Sequence, residues 1–202
     1  MTTIRRARLD ESSVIGAAQA RAFNDDPLQS WAIPNADHRL ALLTAMFELI
    51  TAVISIPLGE SYVDDDLASA AFWVPPGRWG EAPTLEARAA LRSLEGQLDS
   101  DITRRFAVAN EVMHAAHPSE SHWYLQGLGT DPSRQRTGLG SAVMQPVLQR
   151  ADATSTPCYL ESTKADNVAF YERHGFRVSA TLDIAESGPT LVAMWREPTT
   201  QP

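Results

Sequence analysis

Apolar residues recur at helical spacing in the first third of the chain and predict two helices there. Between Ala36 and Ile56 the apolar positions alternate steps of three and four residues, which gives a helix one continuous apolar face. These positions are Leu40, Leu43, Phe47, Ile50 and Ile54. An earlier helix is predicted from Asp10, which suits an N-cap, to about Phe23. It ends before Pro27 because proline disfavours helical geometry in the residue that precedes it.

Short apolar segments between turn residues predict seven strands. They cover residues 4–9, 60–64, 68–74, 122–128, 157–162, 176–184 and 190–196. Helical spacing predicts further helices over residues 84–116 with a break near Gly96, from Gly138 to about Ala153, and from about Asp166 to His174. The order of elements, without a repeat or a linker, predicts one α/β (mixed α+β) domain over residues 1–202, with helices on both faces of a mixed sheet.

Composition and charge narrow the class of protein. Hydrophobic residues make up 44% of the 202 residues, which is enough for a sizeable core. The formal net charge of −8 disfavours nucleic acid as a partner and suits a cationic ligand such as an amine. Cys158 is the only cysteine, which excludes an internal disulfide, and the five histidines do not form a metal-binding pattern.

Two segments of the sequence indicate where in the cell the protein is expected. The basic stretch MTTIRRARLD has no apolar segment behind it, so no secretory signal is predicted. The most apolar stretch, Leu40–Leu58, is interrupted by polar residues and Pro57, and we expect it to be too polar for a membrane span. We therefore expect a cytoplasmic protein that associates with neither membrane nor nucleic acid.

The most informative segment joins a strand to a helix through residues 135–140, Gln-Arg-Thr-Gly-Leu-Gly. Glycines let the backbone approach a ligand closely, and the first turn of a helix has unpaired N–H groups that favour an anion. Arg134 and Arg136 add positive charge, so a pyrophosphate site is predicted. The segment lacks the P-loop pattern and the dinucleotide fingerprint. Taken alone, it also fits a tight turn where a helix and a strand pack closely.

Two motifs resemble those of the GNAT acetyltransferases. Residues 135–140, Gln-x-x-Gly-x-Gly, resemble the family's acetyl-CoA-binding pattern Q/R-x-x-G-x-G. Residues 167–176 resemble its N-x-x-A-x-x-F-Y-x-x-x-G-F signature in a shortened form. The resemblance covers residues 122–196 well and extends to members like puromycin N-acetyltransferase. It implies the GNAT fold, a mixed, mostly antiparallel sheet of seven strands with helices on both faces.

The resemblance implies an acyltransferase that moves an acetyl group from acetyl-CoA to a primary amine of a small molecule by direct attack, with no metal. Two alternatives are an acetyltransferase of protein lysines or N-termini and a non-catalytic CoA-binding regulatory protein. The protein is expected to be a monomer or a homodimer. The residues that the resemblance assigns to the cosubstrate are Leu128, Gly129, Thr130, Gln135, Arg136, Thr137, Gly138, Leu139, Gly140, Ser141, Asn167 and Phe170.

Two residues are assigned to the chemistry. Tyr171 matches the family's general acid, a phenol that protonates the leaving thiolate. Glu161, at the end of the fifth strand, is the candidate general base for the attacking amine. Tyr171 also fits a packing aromatic, and Glu161 also fits a structural carboxylate.

Several residues of the N-terminal half are candidates for binding the acceptor. Asp25 and Asp26 either bind a cationic group of the acceptor or form a turn. Trp31, Trp73 and Trp79 are candidates for an aromatic acceptor pocket, and Trp73 also fits the core because it lies at the end of a strand.

Overall fold

The computed structural model describes residues 2–80 and 84–199. Seven strands form one sheet in the order β1-β2-β3-β4-β5-β7-β6. β4 and β5 are parallel, and the other neighbouring strands are antiparallel. The predicted mixed, mostly antiparallel sheet of seven strands is therefore confirmed. The strands are β1 Ile4–Arg6, β2 Glu60–Asp64, β3 Ser69–Val74, β4 Trp123–Thr130, β5 Cys158–Ser162, β6 Arg177–Asp183 and β7 Thr190–Arg196.

Eight α-helices accompany the sheet within the described ranges. They are α1 Ser12–Phe23, α2 Pro27–Ala32, α3 Ala36–Ile50, α4 Ile56–Leu58, α5 Leu85–Glu95, α6 Ser100–Ala116, α7 Leu139–Ala153 and α8 Val168–Glu172. The predicted break near Gly96 is confirmed, since α5 ends at Glu95 and α6 begins at Ser100 after its N-cap Asp99.

Two element boundaries near the N-terminus differ from the prediction. β1 ends at Arg6 because Leu9–Glu11 form a 3-10 helix, in which the Glu11 carboxylate accepts a hydrogen bond from the Arg8 N–H. The turn that ends α1 also begins α2, which the sequence analysis missed. The Asp26 carboxylate caps α2 by accepting from the N–H groups of its first turn, and Pro27 occupies the first helical position, where a missing N–H costs nothing.

The long predicted helix over residues 36–56 is divided in the structure. After α3 the chain makes a π-helical turn over Thr51–Ser55, in which the Ile56 N–H donates to the Thr51 carbonyl, and α4 follows. Pro57 has no N–H to donate, and in a regular α-helix its ring would clash with the Val53 carbonyl.

The same segment corrects a second expectation. Ala36–Ser55 has a mean hydropathy of 1.4, so its length and composition alone would suffice for a membrane span, despite the polar interruptions. In the fold this helical stretch packs against α1 and α5, and 17% of its most apolar window is buried.

The two faces of the sheet carry different helices. Trp73, Leu125 and Leu160 face α7 and form the main apolar core with its buried residues. Phe72, next along β3, points to the opposite face and packs with Ile15 of α1. Because successive side chains of a strand alternate between faces, each of the central strands contributes to both layers.

The contact between α1 and α3 depends on one glycine. A Cβ added at Gly16 would lie 2.5 Å from the Cα and the N of Glu48 in α3, so only glycine allows the two backbones to approach this closely.

Gly16→Ala is expected to lower the free energy of unfolding by about 1–3 kcal/mol, because the new methyl group forces α1 and α3 apart. Urea denaturation measures this change. Gly96→Ala is the matched control, since its nearest backbone atom is at 3.4 Å and its φ is −66°. For Gly96→Ala we expect a change of at most about 1 kcal/mol. Equal effects of the two substitutions would contradict the close contact.

Candidate active site

β4 and β5 pair over a very short distance. The parallel register joins Trp123 to Cys158 and Tyr124 to Tyr159, and the described residues beyond them form no further pairs between these strands. β4 stays paired with β3 up to Thr130, so its second half has one backbone edge that β5 does not cover. This edge is a gap in the sheet where an extended ligand can bind to backbone groups.

A β-bulge lies in the same half of β4. Phe72 is opposite Gly127 and Trp73 is opposite Leu125, so Gln126 is the extra residue of the bulge. A bulge bends its strand and increases the local twist, which fits the divergence of β4 from β5.

The end of β4 is held by two side chains. The carbonyl of Gly129 accepts hydrogen bonds from Gln19 Nε2 at 3.1 Å and from Ser69 Oγ at 3.3 Å. Ser69 Oγ also lies 2.8 Å from Thr130 Oγ1. A Cβ at Gly129 would lie 2.4 Å from Gln19 Oε1, so a larger residue here would displace the Gln19 side chain.

The predicted phosphate turn follows β4 directly. Pro132–Arg134 form a 3-10 turn, Arg136 has a φ of 62°, and Gly138 has a φ of 87° as the N-cap of α7. Within the turn, Gln135 Nε2 donates to the Thr130 carbonyl at 3.2 Å, and the Thr137 hydroxyl donates to the Arg134 carbonyl. These two side chains therefore fix the shape of the turn.

The start of α7 suits an anion. No side chain among the described residues caps this 15-residue helix, so the N–H groups of Leu139, Gly140 and Ser141 remain available to a ligand. Arg136 is exposed beside them, whereas Arg134 forms an ion pair with Asp66 at 3.0 Å. Of the two predicted cations, Arg136 is thus the one placed to approach an anion.

α8 closes the other side of this turn. Gly140 lies between Phe170 and Thr130, since a Cβ there would be 3.6 Å from an atom of each. Ser141 Oγ lies 2.9 Å from His174 Nε2. Asn167 is exposed at the N-terminus of α8. The structure therefore brings the two sequence motifs, residues 135–141 and 167–174, next to each other.

Tyr171 points into the core beside this turn. It is 7% exposed and packs with Phe176 in the apolar cluster under α7. Burial raises the pKa of the Tyr171 phenol, and the carboxylate of Asp26 raises it further. The phenol is therefore protonated at neutral pH.

The two aspartates of the α1–α2 turn have structural partners. Buried Asp26 caps α2 and accepts a hydrogen bond from the Thr163 hydroxyl, and Asp25 forms an ion pair with Lys164 at 2.6 Å. Of the two interpretations of these residues, the structure favours the turn. It also shows that the turn contacts the segment after β5, which the sequence gave no means to predict.

Glu161 lies on the face of β5 that also carries Tyr159. Its carboxylate is beside the phenols of Tyr124 and Tyr159, and its Oε1 atom is buried without a hydrogen-bond partner among the described residues. Burial raises the pKa of Glu161 to about 7, against the opposing effect of the two phenols. A carboxyl group with this pKa is suited to accept and release protons near neutral pH.

The two tyrosines beside Glu161 are residues that the sequence analysis missed. Tyr124 and Tyr159 are opposite each other in the short β4–β5 ladder, and Glu161 follows Tyr159 by two residues. The alternation of strand residues would place Tyr159 and Glu161 on one face. Only the register between the strands adds Tyr124.

A cavity of about 200 Å³ opens near this group of residues. Trp79 lines this cavity, whereas Trp73 is 1% exposed in the core and Trp31 of α2 packs against α6. Of the three tryptophans considered for an acceptor pocket, Trp79 is the one that lines this cavity. The residues that line the cavity include Ile54, Val74, Arg78, Trp79, His114 and Gln126.

The chain is similar to a known protein family and to several solved structures. Residues 104–176 match the family model of the acetyltransferase (GNAT) family. The fold is similar to that of a histone acetyltransferase HPA2-related acetyltransferase from Corynebacterium glutamicum, with 26% identity, a TM-score of 0.73, and coverage of 99% of this chain and 98% of that one.

Two more distant structures share the fold. The ribosomal-protein-S18-alanine N-acetyltransferase from Escherichia coli is 14% identical, with a TM-score of 0.54, over 100% of this chain and 97% of that one. A polyamine N-acetyltransferase from Drosophila melanogaster is 17% identical, with a TM-score of 0.52, over 98% of this chain and 100% of that one.

The matched family model and the similar structures identify the chain as an acyltransferase, and the gap between β4 and β5 and the anion-binding turn fit this class. The comparisons confirm the family predicted from the sequence, the GNAT N-acetyltransferases, whose cosubstrate is acetyl-CoA. The resemblance to puromycin N-acetyltransferase-like members stays a prediction.

Proposed function

We propose that the chain works as a single domain that transfers an acetyl group from acetyl-CoA to a primary amine of a small molecule. The observation that carries this proposal is the uncovered edge of β4, with the uncapped N-terminus of α7 at one end and Glu161 and Tyr171 nearby. The size of the cavity, about 200 Å³, supports a small acceptor.

The binding of acetyl-CoA is assigned to the turn and to β4. The pyrophosphate would bind the N–H groups at the start of α7 together with Arg136, in a turn shaped by Gln135, Thr137 and Gly138. The pantetheine arm would bind the uncovered edge of Leu128–Thr130, and Asn167 and Phe170 would border it. Because the Gly129 carbonyl is already bound by Gln19 and Ser69, other backbone groups of this edge must serve the arm.

The proposed reaction is direct attack of the neutral amine on the thioester carbonyl. Glu161 accepts the proton that the amine loses, the C–N bond forms, and the C–S bond breaks. Tyr171 donates a proton to the leaving thiolate, so that the products are an amide and the thiol of coenzyme A. A buried carboxyl with a pKa of about 7 and a buried protonated phenol are suited to these roles.

The surroundings of the reaction are also part of the proposal. With a net charge of −8, the protein is proposed to act in the cytoplasm on a cationic small molecule rather than on nucleic acid, without a metal, as a monomer or a homodimer. Acetylation of a protein lysine or N-terminus is the competing function, and a larger acceptor than the cavity accommodates would be its signature.

Tyr171→Phe is expected to lower kcat by ~10²–10⁴-fold while leaving the affinity for acetyl-CoA nearly unchanged, because only the proton donor is removed. Release of the thiol measures turnover, and calorimetry measures binding. Phe176→Leu, a change in the ring that packs against Tyr171, controls for loss of packing. Full turnover of Tyr171→Phe would contradict the assigned role.

The value of kcat/KM is expected to rise with pH about a midpoint near 7, because Glu161 accepts a proton only when it is ionised. Glu161→Gln should abolish this rise and lower kcat/KM by ~10²–10⁴-fold. Tyr159→Phe should move the midpoint to higher pH, because it removes a phenol that stabilises the carboxylate. An unchanged pH profile in Glu161→Gln would exclude Glu161 as the base.

A further inference from the structure

We infer that His174 is a positioning residue for the cosubstrate. Its Nε2–H group donates to Ser141 Oγ and thereby directs the hydroxyl hydrogen of Ser141 to the pyrophosphate of acetyl-CoA. The observation that carries this inference is the distance of 2.9 Å between Ser141 Oγ and His174 Nε2. The inference rests on the proposed function and adds to it a residue that acts on the pyrophosphate through another side chain.

Ser141 lies where a hydroxyl group can reach an anion. It is the third residue of α7 and belongs to the first turn of that helix, whose N–H groups no side chain among the described residues caps. Ser141 is partly exposed, and in the described part of the chain His174 is the hydrogen-bond partner of its hydroxyl. A hydroxyl has one hydrogen to donate. This hydrogen therefore goes either to His174 or to an anion at the start of α7.

The tautomer of His174 decides between these two arrangements. A neutral imidazole has one donor nitrogen and one acceptor nitrogen. If Nδ1 carries the hydrogen, Nε2 accepts from the hydroxyl, and Ser141 Oγ presents lone pairs to the anion. If Nε2 carries it, Oγ accepts from His174 and the hydroxyl can donate to the anion. A bound pyrophosphate thus selects the Nε2–H tautomer and gains a charge-assisted hydrogen bond.

The His174 ring is held in position by the surrounding elements. The Arg196 Nε atom donates to the His174 carbonyl at 2.8 Å, and the His174 N–H donates to the Tyr171 carbonyl at 2.9 Å. The ring meets that of Phe170 edge to face, with a centroid distance of 4.9 Å. These contacts fix the backbone and one side of the ring. The Nε2 atom is therefore next to Ser141 before the cosubstrate binds, which lowers the entropic cost of binding.

The charges around His174 favour its neutral form. Burial, with smaller effects of the positive charges of Arg173 and Arg196, lowers the pKa of His174 below its ordinary value of 6.5. The ring is therefore neutral at pH 7. Arg136 already supplies positive charge beside the turn, so a neutral donor at Ser141 is sufficient there. The role of His174 thus depends on which nitrogen carries the hydrogen and not on a charge of the ring.

Calorimetry of acetyl-CoA binding tests this role on the purified protein and needs no acceptor amine. His174→Leu and Ser141→Ala should each raise the Kd about tenfold, because each removes the same charge-assisted hydrogen bond. His174→Gln should keep the Kd within about threefold of the unaltered protein, since its side-chain amide can still donate to Ser141 Oγ. Thermal unfolding without ligand checks that each variant is folded.

A double variant tests whether the two side chains act as one unit. Ser141→Ala combined with His174→Leu should raise the Kd about tenfold, as either change alone does, and not about a hundredfold. His38→Leu is the matched control, because His38 is an exposed histidine in the first turn of α3, and its Kd should be unchanged.

The tautomer itself can be observed in the unaltered protein. With ¹⁵N-labelled protein saturated with acetyl-CoA, long-range ¹H–¹⁵N NMR spectra should show His174 in the Nε2–H form. The signal is assigned by its absence from His174→Gln. Because the spectrum is recorded without a substitution at the site, it decides the question even where a variant fails to fold. An Nδ1–H form in the complex would overturn the inference.

The remaining outcomes separate this inference from the proposed function. An unchanged Kd in His174→Leu, or an additive loss in the double variant, would overturn the inference and leave acetyl transfer standing. A Kd in His174→Gln as high as that in His174→Leu would show that the ring only supports the packing of α8, and would also overturn it. No binding of acetyl-CoA to the unaltered protein would instead overturn the proposed function.

Discussion

The early end of the β4–β5 pairing is the constraint on which the rest of the site depends. After Tyr124 and Tyr159 the two parallel strands no longer pair, while β4 continues along β3 through a bulge at Gln126. One edge of β4 is thereby left uncovered in the middle of a sheet, where strands are normally paired on both sides. The chain then enters α7 through a turn whose glycine N-cap leaves the first N–H groups of the helix uncapped. An acyl donor with an extended arm and a pyrophosphate matches these two features in order.

Because side chains alternate along a strand, the central strands place their residues on two different faces of the sheet. Leu125 and Leu160 face α7 and build the core, whereas Tyr124 and Glu161 face the opposite layer. The carboxyl group of Glu161 is consequently buried beside two phenols, and burial raises its pKa to about 7 although the phenols oppose this shift. The same layer holds the cavity and the Trp79–His117 stack.

The sequence predicted what is local and missed what depends on distant contacts. The helix spacing, the break near Gly96 and the turn before α7 follow from short-range rules, and the structure has them. α2 was missed because Asp26 and Pro27 signal the end of one helix as clearly as the start of another. The close contact at Gly129 is with Gln19, which lies 110 residues away in the chain. No local pattern reports such a contact.

In the candidate site, too, local patterns were predicted from the sequence, whereas distant contacts were not. The turn at residues 135–141 and the motif around Tyr171 were found from their residue patterns, and the structure brings them together. The placement of Tyr124 beside Glu161 needs the register of β4 against β5, and the cavity at Trp79 needs the packing of α6 on the sheet. The candidate features for the acceptor therefore depend on tertiary contacts, whereas the candidate features for the donor lie in local sequence.

Thermal unfolding with and without acetyl-CoA tests the central claim most directly, with NAD and ATP as controls. At a concentration a hundred times its Kd, acetyl-CoA should stabilise the protein by about 2.7 kcal/mol, and neither control should do so. Selective stabilisation is the result that the gap in the sheet and the turn at α7 predict. No shift with acetyl-CoA, or an equal shift with all three nucleotides, would contradict the assignment of this site to an acetyl-CoA-dependent transferase.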